Sequence, residues 1–107
     1  MKVAVYGTLK RGWGANHFLE TSMFLGTTTL PGTMYSLGLY PGVVLDNKSE
    51  FEAEVFELAS DKLIDRLDSY EGNGYLYNRR TIDTEFGPAE IYEYALEVEG
   101  LEPIRSW

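Results

Sequence analysis

The chain has 107 residues, 44% of them hydrophobic and 14% aromatic, with nine basic and seventeen acidic side chains, a net charge of −8 and no cysteine. That length suits one domain with one core, spanning residues 1–107, and the apolar share is too high for disorder. The negative charge disfavours nucleic acid and anionic membranes as partners, and the lack of thiols excludes disulfides, thiolate nucleophiles and cysteine-based zinc sites.

Val3-Ala4-Val5-Tyr6 is a compact apolar run ending at Gly7 and predicts a buried strand. It is too short, and too soon followed by glycine, for a signal peptide. No apolar run approaches the roughly 20 residues of a membrane span, so a cytoplasmic location is expected. Gly7 to Gly14 is polar and glycine-punctuated, a loop that opens a short helix through Asn16, Phe18 and Leu19. Met23 to Leu30 predicts a second strand, Pro31-Gly32 a turn and Thr33 to Leu37 a third strand. Gly38-Leu39-Tyr40-Pro41-Gly42 predicts a loop, Val43-Val44-Leu45 a short strand and Asp46-Asn47-Lys48 a turn. Phe51 to Leu58 alternates as a half-buried strand, and a helix follows from Ser60 to Gly72. Asn78 to Glu85 and Ala89 to Leu96 form a hairpin around Phe86-Gly87-Pro88, while Gly100 to Trp107 has no clear period. The expected class is α+β: a small mixed β-barrel or curled sheet with one principal helix and short peripheral helices.

The helix carries the main chemical signal. At roughly 100° per residue, Leu63, Ile64, Leu67 and Tyr70 share one apolar arc, and Asp61, Lys62, Asp65, Arg66, Asp68 and Ser69 fall outside it. Glu71 falls inside, four residues after Leu67 and seven after Ile64. A carboxylate aimed at the interior must be paired, neutralised or used in chemistry. Gly72 can end the helix in a left-handed cap, which leaves Glu71 in the last turn, where the helix dipole raises a carboxyl pKa. Two readings stand: an acid/base working near neutrality, or a helix end that curls into solvent.

Other constellations are weaker. A strand stopping at Gly7 can expose successive N–H groups to an anion, although Trp13 stands where a phosphate loop needs lysine; an ordinary tight turn is the alternative. His17 is the only histidine, so no metal site is expected. No serine sits in a nucleophile elbow. Glu52/Glu54 and Glu97/Glu99 alternate along strands and should face water.

Three pieces in order resemble the γ-glutamylcyclotransferase-like family, in the branch of γ-glutamylamine cyclotransferases and small AIG2-like proteins. They are Val5-Tyr6-Gly7-Thr8-Leu9-Lys10-Arg11-Gly12, then Tyr35-x-x-Gly38-x-Tyr40-Pro41-Gly42, then Leu67-Asp68-x-x-Glu71-Gly72 followed by Tyr77-x-Arg79. The similarity runs from Val3 to about Tyr94, with Ala53 standing where relatives more often carry glycine. The resemblance implies a small barrel with helices packed around it. It also implies cleavage of a γ-glutamyl amide by its own α-amine, giving 5-oxoproline and a free amine or amino acid. By that analogy Tyr6, Gly7, Thr8 and Leu9 hold the γ-glutamyl moiety, Glu71 is the acid/base, and Tyr40 and Tyr77 are pocket walls. Such chemistry needs no metal or cofactor, only a small-molecule γ-glutamyl substrate. A module of another class, sensing an amino-acid-like ligand without turnover, is the alternative. Trp13 and Asn73-Gly74-Tyr75-Leu76 are further candidates for selecting the leaving amine, and no pattern sets an oligomeric state.

Overall fold

The computed structural model describes residues 1–107. In chain order it has β1 (Lys2–Val5), a 3-10 helix (Gly14–Leu19), β2 (Met23–Pro31), β3 (Thr33–Ser36), β4 (Pro41–Val44), β5 (Glu50–Glu57), α1 (Leu63–Glu71), β6 (Tyr77–Thr84), β7 (Gly87–Tyr94) and β8 (Pro103–Ile104). β1 decides the architecture. Val3 and Val5 point to one side, Ala4 and the adjoining Tyr6 to the other, and all four are buried. A strand apolar on both faces has to lie inside a sheet covered on both sides.

It does so at the centre of a five-stranded sheet of order β2-β5-β1-β7-β6. β1 pairs antiparallel with β5 and parallel with β7, through Val3 and Glu90. The second sheet, β4-β3-β8, is antiparallel, and because β2 runs into β3 through Gly32 it folds over one face of the first. The strands thus curl into two facing layers in place of one closed barrel. Between the sheets lie Ala4, Leu30, Met34, Val43, Phe51, Ala53, Val55 and Ile91. Ala53, where a glycine was noted in relatives, is fully buried there. On the opposite face α1 and the one peripheral helix pack Leu19, Ile64 and Leu67 against Val3, Val5 and Phe56. No helix is long and apolar enough to cross a membrane.

Several boundaries differ from expectation: α1 begins at Leu63 and not at Ser60, β7 takes in Gly87 and Pro88 and ends at Tyr94, and two further differences concern β4 and the tail. β4 begins at Pro41, because it lies at a sheet edge and a first residue without an N–H breaks no ladder bond there. The apparently aperiodic tail contributes β8, paired with Met34 and Tyr35; two residues are too few to show a period.

Candidate active site

The last turn of α1 delivers the acid. In the turn that leads into the helix, Ser60 accepts the Lys62 N–H on its hydroxyl at 3.2 Å and the Leu63 N–H on its carbonyl at 3.0 Å. Gly72 ends it with φ 64° and ψ 50°, a left-handed conformation glycine adopts at no steric cost, and the Asn73 N–H closes on the Asp68 carbonyl at 2.9 Å. Glu71 is therefore the final helical residue, and it lines a cavity of about 320 Å³ instead of curling into solvent. Burial pushes its carboxyl up from 4.5 to about 7. Burial is the cause; the helix terminus, invoked from sequence, is not required.

Two neighbours on the helix depart from the wheel. Tyr70, expected in the core, is 44% exposed, with its ring 5.0 Å from Phe18 and its hydroxyl 3.0 Å from Thr8 Oγ1. The apolar arc runs past the covered part of the sheet to the cavity mouth, where a phenol keeps its polar tip wet. Asp68, expected on the solvated face, turns to the sheet. Tyr92 donates its hydroxyl to Asp68 Oδ1 at 2.7 Å, and Arg79 Nε lies 3.6 Å from the same oxygen and 3.5 Å from Glu90. With the Arg79 N–H donating to the Asn73 side chain at 2.8 Å, these contacts bind the C-terminal end of α1 to β6 and β7.

The loop that leaves β1 lines the same cavity as Glu71. Its carbonyls are all occupied: Gly7 accepts from Lys10 at 3.0 Å, Thr8 from Ala15 at 3.1 Å, and Leu9 from the Asn16 side-chain amide at 2.7 Å. The N–H groups of Gly7, Thr8 and Leu9 donate to no acceptor in the protein. Unpaired amides on a loop that lines a cavity can receive an anion or oxyanion. Glu54 holds the loop from outside, accepting the Arg11 N–H at 2.8 Å, so this acid does not simply face water as its alternation suggested. Gly7 is required by close approach, since a Cβ there would sit 2.9 Å from the Pro41 ring.

All seven residues selected from sequence, Tyr6, Gly7, Thr8, Leu9, Tyr40, Glu71 and Tyr77, line this one cavity. Two of the tyrosines are walls whose hydroxyls are committed to backbone. Tyr6 donates to the Tyr92 carbonyl at 2.6 Å and accepts the Val43 N–H at 3.3 Å; Tyr77 donates to the Pro41 carbonyl at 2.7 Å. Burial raises both phenols well above their ordinary range, so they stay protonated donors. Tyr40 is part-exposed at the mouth.

Ala4, Val5, Leu39, Pro41, Tyr70 and Tyr92 also line the cavity and were not selected, while Leu76 was named only as a candidate for selecting the leaving amine. Leu39 and Pro41 adjoin Tyr40 and Tyr70 adjoins Glu71, so widening each motif by one residue finds them. Tyr92 carries no local signal, because it arrives from a distant strand. Trp13 lies elsewhere, its ring 6.0 Å from that of Trp107. Of the segment after the acid only Leu76 reaches the cavity, and the segment is closed by bonds from the Tyr75 and Leu76 N–H groups to the Gly72 carbonyl, each 2.9 Å.

The family model described as gamma-glutamyl cyclotransferase, AIG2-like, matches residues 3–107. The Escherichia coli K12 gamma-glutamylcyclotransferase family protein YtfP is 35% identical over 107 residues, covering 99% of this chain and 93% of its own. A putative gamma-glutamylcyclotransferase from Vibrio cholerae is 39% identical over 94 residues, 86% of this chain and 80% of its own. The solution structure of E. coli ytfP superposes with a TM-score of 0.80 at 34% identity, covering 99% of this chain and 93% of that one. The uncharacterized protein PH0828 from Pyrococcus horikoshii gives 0.78 at 27%, covering 99% and 83%. The family model and the relatives match along nearly the whole sequence and the solved structures share the fold, so the chain belongs to the gamma-glutamyl cyclotransferase, AIG2-like family.

Proposed function

We propose that this protein cleaves a γ-glutamyl amine or γ-glutamyl amino compound by intramolecular attack of the substrate's α-amine, releasing 5-oxoproline and a free amine. Membership of the family supports a cyclotransferase-type reaction. The observation that carries the mechanism is Glu71, a carboxyl pushed up to about 7 that lines the same cavity as a loop with three unpaired backbone N–H groups.

A group poised near neutrality both accepts and returns a proton readily. Glu71 takes a proton from the α-ammonium, and the freed nitrogen attacks the γ-carbonyl carbon to close a five-membered ring. The oxyanion that forms, or the substrate's α-carboxylate, is met by the Gly7, Thr8 and Leu9 N–H groups. The bond from the γ-carbon to the leaving nitrogen then breaks as Glu71 returns a proton to that nitrogen. Between ammonium and lactam the α-nitrogen gives up two protons, and between amide and ammonium the leaving nitrogen gains two, so Glu71 ends as it began. Tyr6, Tyr77 and Tyr40 shape the enclosure and keep the folded substrate from competing water.

The test is mass-spectrometric detection of 5-oxoproline from γ-glutamyl amines, γ-glutamyl amino acids and glutathione, with wild type beside Glu71→Gln. Product from wild type alone is expected. Product from both proteins would acquit Glu71. Binding without product from either would replace this reading with that of a sensing module, and glutamate in place of 5-oxoproline would make it a hydrolase.

A further inference from the structure

A pair of side chains that the proposed reaction does not use ties the acid's helix to the wall of the cavity. Asp68 stands three residues before Glu71 on α1. The last turn of that helix carries no basic residue, so the helix itself offers nothing to offset a carboxylate near the negative end of its dipole. The partners come from the sheet. Tyr92 of β7 donates its hydroxyl to Asp68 Oδ1 at 2.7 Å, and Arg79 Nε of β6 stands 3.6 Å from the same oxygen. Tyr92 is buried, lines the cavity, and accepts the Tyr6 hydroxyl on its carbonyl at 2.6 Å. Tyr6 directly precedes Gly7, Thr8 and Leu9. Contacts therefore run from Asp68 through Tyr92 to Tyr6, from the helix that bears Glu71 to the strand that leads into the unpaired amides.

From this geometry we infer that Asp68 and Tyr92 are positioning residues for Glu71: their hydrogen bond fixes the last turn of α1 against β7 and so sets the carboxyl on the cavity. The consequence for turnover rests on the cyclotransferase reading; the placement does not. A brace for stability alone would be built differently. Arg79 reaches Asp68 and Glu90 only at 3.6 and 3.5 Å, and its Nη1 is buried without a partner, an arrangement that costs stability. The short bond goes instead to the residue that lines the cavity. Glu71 depends on such support, because burial is what holds its carboxyl at about 7. The titratable groups around it are phenols. Tyr6 from β1, Tyr77 from β6 and Tyr92 from β7 are each raised chiefly by burial and in part by the charge on Glu71, and Tyr40 and Tyr70 stand at the mouth. No lysine, arginine or histidine lines the cavity. A last turn released from β7 would let Glu71 swing toward water, and its carboxyl would fall back toward 4.5. A proton carrier misplaced by about 1 Å can lose on the order of 10²-fold in rate.

The experiment follows the Glu71 carboxyl by ¹³C NMR in protein labelled at the glutamate side-chain carboxyls, its signal assigned by its loss in Glu71→Gln. The wild-type midpoint is expected at about 7. Tyr92→Phe removes no charge and keeps the ring on the wall, and it should lower the midpoint by about one pH unit or more. The acid limb of kcat/KM should move down with it, and kcat should fall about tenfold while KM changes less. Asp68→Ala should have the same effects. Asp68→Asn keeps an oxygen for the Tyr92 hydroxyl and should hold the midpoint nearer to wild type. Glu90→Gln, which takes away the other partner of Arg79, should leave it in place. An unmoved midpoint in folded Tyr92→Phe or Asp68→Ala protein would overturn the inference. So would an equal move in Glu90→Gln, which would mean general loosening, or a larger one in Asp68→Asn than in Tyr92→Phe, which would mean simple charge. The titration uses no substrate. If wild type yields no 5-oxoproline, the cyclotransferase reading fails by itself, and the NMR midpoints still decide whether Asp68 and Tyr92 place the acid.

Discussion

Replacing Glu71 by glutamine keeps the shape of the side chain and removes its proton chemistry, which is expected to lower kcat by about 10²–10⁴-fold. The same exchange has a stability signature of definite sign. The carboxyl stands at 4.5 when exposed and at about 7 in the fold, so between these values the folded protein holds a proton that the unfolded chain has released. The contribution is present in full below pH 4.5 and is lost as pH rises through about 7. From those two values it amounts to about 3 kcal/mol at most. Thermal or urea unfolding of wild type and Glu71→Gln across that range should show the wild type losing stability relative to the variant; parallel curves would mean a carboxyl that titrates normally. In activity the slope is reversed, because the base must be ionised to start the reaction, and kcat/KM should climb with pH up to about 7. Tyr77→Phe leaves the Pro41 carbonyl without its buried partner and should cost about 1–2 kcal/mol. Because that bond holds the 38–42 segment over the cavity, KM should rise more than kcat falls.

Among the elements, α1 matters through its end. Gly72→Ala meets only ordinary contact with Leu76 at 3.6 Å, so its cost is that of a left-handed alanine, about 1 kcal/mol, read in urea unfolding. A loss of kcat larger than that stability change accounts for would show that the cap sets the direction of Glu71. The helix, the first strand and the final hairpin were legible in the sequence because each repeats a period over enough residues: Ile64 and Leu67 at helical spacing, Val3 and Val5 against Ala4 and Tyr6 on alternate faces. Glu71 stood out as a charge inside such a period. Asp68 did not, because its inward turn follows from Tyr92 and Arg79, which come from strands formed later in the chain. The unpaired Gly7–Leu9 amides were legible only as a possibility of the turn. What frees them is the capture of the three carbonyls, the last by the Asn16 side chain. β8 shows the lower limit of such reading, since two residues have no pattern and gain their strand identity from β3 alone.

The whole molecule is two layers of core sharing one sheet, and the cavity opens where the loops at the end of β1 meet both. Phe51 is 1% exposed between the sheets, outside the three site motifs, and its ring packs edge-on against Tyr6 at 5.6 Å. Phe51→Ala should destabilise the protein by about 3–5 kcal/mol. It should also loosen Tyr6, so that below the melting temperature substrate binding weakens even though no ligand contact has been deleted. Unchanged KM in a protein with a much lower Tm would separate the two layers functionally.

The pairing of Val3 with Glu90 has a temporal consequence. β1 is synthesised well before its parallel neighbour, which arrives 87 positions later, and the loop that follows β1 acquires its cavity only when β7 brings Tyr92 beside it. Contacts of such long range are slow to form, because the chain between them must be ordered before they repay its loss of freedom. A nascent chain ending before Gly87 would carry Tyr6, Gly7, Thr8, Leu9, Tyr40, Glu71 and Tyr77 and still lack β7 and Tyr92 to complete the cavity. Until β7 is inserted, one edge of β1 is an unpaired apolar strand, open to any other chain that offers a matching edge. Synthesis and refolding are thus the stages at which this protein is most exposed to aggregation, and dilution or a chaperone should raise the yield of active molecules more than any change of the finished surface.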